Sequence, residues 1–326
     1  MARLSITLLG SIQVILDGHL LKNFRTDSAR ALLAYLVMHP GQPFHREHLA
    51  ALLWPDTPHE EALVNLRQAL YRLRQALGDA ADHYIFAGRR TLGFSAESDY
   101  WLDVQAFTEL LEQCHSHPHT HLRACPTCAQ KMEAAVALYH GDFLGGFPFS
   151  ASDTFEEWRI LQQEDLHRQA METLEVLAVY HQRRHAFPQA AAHLRYLLRW
   201  EPWREEAHQR LMHVLALAGD TGAALAQYEI CRQVLAAELG GAPGPKTEAL
   251  RAAIQAGEIR PYSGDGQSPY KGLAHFTQAD AAHFFGRESY VQRLYEQVQA
   301  GGLVALIGAS GSGKSSLIHA GLIPRL

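Results

Sequence analysis

Hydrophobic and polar residues alternate at the start of the chain. Leu4, Ile6 and Leu8 lie two positions apart, and the same spacing recurs between residues 12 and 16. Apolar side chains at every second position lie on one face of a β-strand. The pattern therefore predicts short strands here, and it is not the continuous apolar run of a secretory signal.

Helical spacing replaces this alternation in three successive segments. The first covers residues 27–38 and ends before Pro40 and Gly41, and the second covers residues 46–54 and ends before Pro55. Proline and glycine interrupt helices, so each boundary has a local cause. The third segment, residues 59–77, is the longest.

This third segment has two chemically different faces. One face is a stripe of leucines at helical spacing: Leu63, Leu66, Leu70, Leu73 and Leu77. Such a stripe must face a core, and the opposite side carries Asn, Gln and Arg side chains. Two short apolar segments then flank a Gly88-Arg89-Arg90 tip. Three helices followed by a hairpin with a cationic tip predict a winged helix.

The region from residue 99 to 258 is almost wholly helical in pattern and contains an internal repeat. Four pairs of positions lie 34 residues apart: Leu177 and Leu211, His185 and Gly219, Ala190 and Ala224, and Leu194 and Tyr228. This is the period of tetratricopeptide helix–turn–helix units. The repeat predicts helices at 174–184, 188–200, 205–218 and 223–239. An irregular helical bundle with accidental spacing is the alternative interpretation.

These patterns predict a mixed multidomain architecture. An α+β winged helix occupies residues 1–98, and an all-α, tetratricopeptide-like domain occupies 99–258. Residues 259–268, rich in Gly, Pro and Ser, read as a linker. An incomplete P-loop α/β fragment follows at 269–326.

Composition limits the function less than pattern does. The 326 residues are 47% hydrophobic and 19% charged, which is typical of globular proteins. The net charge of −5 gives no general attraction to nucleic acid, so any DNA contact must come from a local basic patch. No apolar run approaches the roughly 20 residues of a membrane helix, and four cysteines do not form a disulfide framework. We therefore expect a cytoplasmic protein without membrane contact.

Residues 114–128 form a loop rich in cysteine and histidine between two helical segments. Cys114, Cys125 and Cys128 together with one histidine would supply the four ligands of a tetrahedral zinc site. His117 is the candidate that we choose among the four histidines of the loop. A structural metal would order a loop that is otherwise long and polar. A solvated loop with incidental cysteines is the alternative interpretation.

An apolar run at residues 303–307 predicts a buried strand, and the sequence GASGSGKS follows it. This is the Walker A pattern between a strand and a helix. Its glycine amides wrap phosphate oxygens, Lys314 neutralises the β and γ phosphates, and Ser315 binds magnesium. The predicted nucleotide-binding residues of the loop are Gly308, Gly311, Ser312, Gly313, Lys314, Ser315 and Ser316. A chance glycine-rich turn is the alternative.

Several separated motifs resemble the Streptomyces antibiotic regulatory protein (SARP) family. They are ALLAYL at residues 31–36, REHLAALLWPD at 46–56, NLRQALYRLR at 65–74, LYHGDFL at 138–144 and FEEW at 155–158. In that family an OmpR-like winged helix precedes a bacterial transcriptional activator domain built of tetratricopeptide units. The resemblance implies sequence-specific binding to double-stranded promoter DNA and contact with RNA polymerase.

This resemblance turns the polar face of the third helix into a candidate DNA-reading surface. Arginine reaches guanine edges or phosphates, and Asn or Gln pairs with adenine. We assign phosphate contacts to five residues: Arg67, Arg72, Arg74, Arg89 and Arg90. We assign base reading to Asn65 and Gln68. A helix face that is merely solvated is the alternative interpretation.

The segments PYKGL at 269–273 and DAAHFFGRE at 280–288 resemble the STAND class of signal-transducing ATPases. The resemblance implies that Gly286, Arg287 and Glu288 lie near the adenine and ribose of a nucleotide. ATP and magnesium are therefore the expected cofactors of the parent protein. No Walker B acid is present in this sequence, so we expect no hydrolysis by this fragment, whereas the full-length parent is a candidate ATPase.

Three functions follow from these domains. The favoured one is a transcription regulator, most plausibly an activator, in which an ATP-binding switch domain releases or oligomerises the DNA-binding region. The second is a STAND-type ATPase signalling protein that uses the winged helix and helical repeats as a protein-interaction adaptor. The third, a phosphate-transferring enzyme, is disfavoured by the missing catalytic acid.

Overall fold

The computed structural model describes residues 4–22, 24–118, 121–147, 149, 151–260, 275–308 and 312–326. The chain divides into two compact units, residues 1–262 and residues 263–326. Each unit is described by itself. The described residues contain no helix with the length and apolar character needed to span a bilayer.

The first unit begins with a winged helix, as predicted. Its elements in chain order are β1 (Leu4–Thr7), β2 (Gln13–Leu16), β3 (His19–Leu20), α1 (Asp27–Val37), β4 (Phe44–His45), α2 (Arg46–Leu53), α3 (His59–Leu77), α4 (Ala81–Tyr84), β5 (Ile85–Ala87), β6 (Thr91–Phe94) and β7 (Tyr100–Leu102). One sheet has the order β3-β2-β1-β7, with β1 antiparallel to β2 and parallel to β7. The second sheet, β4-β6-β5, is antiparallel and forms the wing.

The rest of this unit is helical. Its helices are α5 (Asp103–Ser116), α6 (Pro126–Leu138), α7 (Asp153–Arg183), α8 (Phe187–Trp200), α9 (Glu205–Leu217), α10 (Thr221–Leu239) and α11 (Pro245–Gln255). The predicted helix at 174–184 is only the last third of α7, which is 31 residues long. It extends so far because Ser152 caps its N-terminus by accepting a hydrogen bond from the Phe155 amide, and no proline or glycine interrupts it.

The 34-residue repeat is visible in the turns and contacts of these helices. His185 and Gly219 end equivalent helices, and both have left-handed backbone angles, with φ of +58° and +86°. Ala190 and Ala224 occupy equivalent positions in α8 and α10, and both are fully buried. Small residues there let paired helices approach closely, which explains the helical-repeat packing.

The winged helix and the helical region share one hydrophobic core. The backbone of Gly10 donates to the Asp142 carbonyl at 3.1 Å and accepts from the Gly145 amide at 2.8 Å. The hydroxyl of Ser152 donates to the Leu52 carbonyl at 2.5 Å, which joins the start of α7 to the end of α2. We conclude that the LYHGDFL segment is a backbone-bonded joint between the two regions.

A buried carboxylate strengthens the same joint. Asp103, the first residue of α5, accepts hydrogen bonds from the amides of Leu8, Leu9 and Val104 at 2.8–2.9 Å. Burial raises the pKa of Asp103, and the three amide bonds act in the opposite direction. Two of these amides follow β1, so one side chain ties the N-terminal sheet to the first helix of the helical region.

The second unit contains α12 (Glu288–Gln299), α13 (Lys314–Ser316), a π-helical turn (Leu317–Leu322) and 3₁₀ turns at Gln278–His283 and Ile323–Arg325. The predicted buried strand at 303–307 is wrong. Leu303 is 100% exposed and Ile307 is 91% exposed. The reason is that residues 275–308 and 312–326 contain no strand that could pair with it, and a strand needs a partner strand for its backbone hydrogen bonds.

Candidate functional sites

Helix α3 is held by its apolar face and leaves the opposite face accessible. Ala62, Leu66, Ala69, Leu73 and Leu77 are buried. Gly78 follows the helix with φ of +58°, a conformation that ends a helix readily only at glycine. The helix is therefore anchored as a rigid element whose outer face can contact another molecule.

The predicted base-reading and phosphate-binding residues differ in accessibility. Arg67 and Gln68 are exposed, and Asn65 is half-buried. The Arg67 Nε group donates to the Leu63 carbonyl at 3.2 Å, a contact within the helix that leaves the guanidinium at the surface. The structure thus places Arg67 and Gln68 side by side on the outer face.

A tyrosine that sequence analysis did not single out lies on this face. Tyr71 is 58% exposed, and its hydroxyl accepts a hydrogen bond from the Gln75 side chain at 3.0 Å. The guanidinium carbon of Arg72 lies 5.8 Å from the Tyr71 ring centre, and Arg72 also donates to Gln75 at 3.4 Å. An aromatic residue three positions after Gln68, away from the leucine stripe, was the available signal.

Arg74 is partly exposed and is paired with a neighbouring side chain at the surface. Its guanidinium forms an ion pair with Asp82 on α4. Its Nε atom is buried without a hydrogen-bond partner among the described residues. The phosphate contact of Arg74 stays a prediction, and in this structure its guanidinium is paired with Asp82, from which it would have to move to reach DNA.

The wing presents Arg89 and Arg90 at its tip, and both are exposed. The turn is closed by a hydrogen bond from the Gly88 amide to the Thr91 carbonyl at 2.9 Å. Arg46 fixes the tip from α2, because its guanidinium donates to the Gly88 carbonyl at 3.1 Å and its amide donates to the Arg90 carbonyl at 2.9 Å. Sequence analysis missed this positioning role of Arg46.

A glycine inside the wing explains how its strands pack so closely. A Cβ atom at Gly93 would lie 2.6 Å from the Gln42 carbonyl oxygen and closer still to the Phe86 ring. No side chain fits there without displacing the backbone. The wing geometry therefore requires glycine at this position.

The Cys/His loop brings its predicted ligands together. The Nδ1 atom of His117 lies 3.6 Å from the Cys125 sulfur and 3.5 Å from the Cys128 sulfur. The ligand atoms of these three residues all lie within 4.8 Å of one another. The fourth predicted ligand, Cys114, lies next to this group but is not part of it, and its thiol donates to the Cys128 carbonyl at 3.6 Å. His115 instead contacts the Leu111 carbonyl.

The thiols differ in their acidity. The Cys128 amide donates a hydrogen bond that lowers the pKa of Cys125. Burial raises the pKa of Cys128 to about 12 and also raises that of Cys114. A zinc ion would supply the positive charge that stabilises three thiolates at this place. The donor set of His117, Cys125 and Cys128 therefore fits three of the four ligands of a structural zinc ion, and Cys114 lies next to them as the candidate for the fourth.

The second unit collects several of the predicted nucleotide-binding residues. A cavity of about 470 Å³ is lined by Arg287 and Tyr290 at the start of α12 and by Gly308 and Lys314 of the predicted phosphate-binding loop. The Lys314 ammonium donates to the Gly308 carbonyl at 2.7 Å.

The other predicted nucleotide-binding residues lie partly in the lining of this cavity and partly outside it. The cavity lining includes Ser312, Gly313 and Ser316, and the Ser316 hydroxyl accepts from the Phe276 amide at 3.1 Å. Ser315 is exposed. The Gly286 amide donates to the Glu288 carboxylate at 2.9 Å. Gly311 lies outside the described residues.

Three family models match successive parts of the chain. Residues 24–95 match "Transcriptional regulatory protein, C terminal", residues 102–255 match "Bacterial transcriptional activator domain", and residues 269–326 match "Novel STAND NTPase 1". The three matches occur in the order that the sequence motifs predict.

Similar whole proteins give the same picture. The chain is 26% identical to the Regulatory protein AfsR of Streptomyces griseus, over 96% of this chain and 32% of that protein. It is also 26% identical to the AfsR protein of Streptomyces coelicolor, over 95% of this chain and 31% of that protein. The chain thus spans about a third of the length of these relatives.

A solved structure has the same fold. It is Mycobacterium tuberculosis EmbR in complex with a low-affinity phosphopeptide, with a TM-score of 0.55 and 23% identity. The match covers 78% of this chain and 66% of EmbR.

Proposed function

The chain has the domain architecture of SARP-type regulators, and we propose that it is a sequence-specific regulator of transcription that binds promoter DNA through α3 and the wing. The observation that carries the proposal is the accessible polar face of α3. Its inner face is buried, while Arg67, Gln68 and Tyr71 remain at the surface. Arginine and glutamine side chains on an anchored helix suit the major groove.

The wing contributes charge rather than sequence reading. Arg89 and Arg90 are exposed at a tip whose backbone is fixed by Arg46. Two cations at such a tip would contact phosphates and set the register of α3 on the duplex. The winged helix and the helical region share one core. Binding of the winged helix to DNA would therefore also fix the position of the helical region, which is the proposed contact for RNA polymerase.

The test is selection of bound duplexes from a random pool at two salt concentrations, followed by affinity measurements. We expect a short motif. Replacing both Arg89 and Arg90 with alanine should weaken binding to all duplexes and reduce the salt slope by about two units, one for each lost phosphate contact. Replacing Gln68 with alanine should instead relax the motif at one position.

A matched control removes two arginines from a surface outside the proposed DNA interface. Arg183 and Arg195 are exposed on α7 and α8 of the helical region, so the double alanine variant should leave the salt slope unchanged. An equal reduction of the slope in both double variants would contradict the assignment to the wing. A protein that binds no duplex at either salt concentration would favour the protein-interaction adaptor, whereas salt-sensitive binding without a motif would not distinguish the two functions.

ATP and magnesium complete the proposed function as ligands of the switch domain. The cavity that holds Arg287, Gly308 and Lys314 supports this part of the proposal. Lys314 would move from the Gly308 carbonyl to the β and γ phosphates. In a chain that contains the whole NTPase domain, ATP binding should therefore be lost on Lys314→Ala substitution, and equal affinity with and without Lys314 would refute the assignment.

Zinc is the proposed structural metal of the Cys/His cluster, which we define as Cys114, His117, Cys125 and Cys128. The cluster joins the end of α5 to the start of α6. These residues would hold the ion as thiolate and imidazole ligands, and the bound zinc would order the loop between the two helices.

A further inference from the structure

A second group of metal-ligating side chains lies away from the Cys/His cluster, among three helices of the helical region. Glu133 belongs to α6, His181 to α7 and His193 to α8. Their ligand atoms all lie within 4.8 Å of one another. The His181 Nε2 atom is 2.8 Å from the Glu133 carboxylate, and the rings of His181 and His193 are stacked with centres 5.2 Å apart.

This combination of groups has a definite chemistry. Two imidazole nitrogens and one carboxylate oxygen form a known set of protein ligands for zinc, in which a fourth position remains open. Ligand atoms around one tetrahedral zinc ion lie about 3.3 Å apart, given bond lengths of about 2.0–2.1 Å. The ligand atoms already lie within 4.8 Å of one another, and the two stacked imidazole rings would have to turn so that their lone pairs meet at one ion.

The surroundings allow an ion to enter. The His181 side chain is 11% exposed and the Glu133 side chain is 45% exposed, so the group opens to solvent on the Glu133 side. Among the described residues, only this group and the Cys/His cluster bring three such ligands together.

We propose that Glu133, His181 and His193 bind a divalent zinc ion that links α6, α7 and α8. An ion held by three helices binds the packed arrangement and not the separated one, so it stabilises the folded helical region by mass action. The fourth coordination position would face solvent, where water or a partner's side chain could complete it. The site is independent of the proposed DNA interface.

The experiment measures zinc bound per chain after chelation and reloading of the purified 326-residue protein. His193→Ala and Glu133→Gln each remove one ligand and keep the others. We expect each variant to bind one zinc ion fewer than the unmodified protein. The thermal midpoint of the unmodified protein should also rise on zinc addition more than that of either variant.

His213→Ala is the matched control. His213 is a half-buried histidine on α9 that contacts Gln182 at 3.3 Å and belongs to neither group of ligands among the described residues. This variant should bind as much zinc as the unmodified protein. Equal zinc content in all four proteins would overturn the proposal and leave His181 and Glu133 as a hydrogen-bonded pair. The difference of one ion does not depend on whether the Cys/His cluster binds zinc.

Discussion

Replacing Asp103 with alanine is expected to lower the free energy of unfolding by about 3 kcal/mol. The variant removes the acceptor of three amide hydrogen bonds, and the Leu8 and Leu9 amides are buried at the end of β1. A buried donor left without a partner costs about 1–3 kcal/mol. Because these amides lie at the joint between the sheet and α5, the loss should loosen both regions together. Urea unfolding followed by circular dichroism measures the change.

The control is an acidic residue on the exposed side of the same helix. Glu112 is exposed on α5, so Glu112→Ala should change stability by less than about 0.5 kcal/mol. Asp103→Asn separates size from hydrogen bonding, because it keeps one acceptor oxygen but places an NH2 group against the remaining backbone donor, so we expect a stability between those of the unmodified protein and the alanine variant. A loss below about 1 kcal/mol for Asp103→Ala would show that the joint does not depend on this carboxylate.

Local patterns were sufficient to predict the winged helix. The leucine stripe of α3 and the breakers at Pro40 and Pro55 act within a few residues, so the sequence determines them directly. The 34-residue repeat also predicted the helices correctly where both copies end in equivalent turns, as at His185 and Gly219. The repeat did not predict the first two-thirds of α7, because it identifies only those residues that have a counterpart 34 residues later.

Contacts between distant residues explain what sequence reasoning missed. The ion pair of Arg74 was missed because its partner Asp82 lies beyond a turn, on a different helix. Glu133 and His181 are 48 residues apart and meet only through helix packing. The Leu303–Ile307 run is apolar enough for a buried strand, but burial depends on neighbouring strands that a local pattern does not describe.

Loss of the Cys/His cluster should have the largest effect on metal binding. The double variant Cys125→Ser and Cys128→Ser removes two of the four proposed zinc ligands. Structural zinc sites bind with about 10–16 kcal/mol in small peptides, so two lost thiolates should cost roughly half of that, which is more than three orders of magnitude in affinity. We expect one zinc ion fewer per chain by elemental analysis, together with faster proteolysis of the loop between α5 and α6.

His115→Ala is the control for this variant, because His115 lies in the same loop and contacts the Leu111 carbonyl at 2.9 Å instead of the sulfurs. It should retain the zinc content of the unmodified protein, whereas His117→Ala should reduce it. Each ligand is expected to be needed because, among the described residues, His117 is the one imidazole grouped with the sulfurs of Cys125 and Cys128. If the double serine variant kept its full zinc content, the ion would have to be bound elsewhere, and the thiols would be ordinary side chains of the α5–α6 packing.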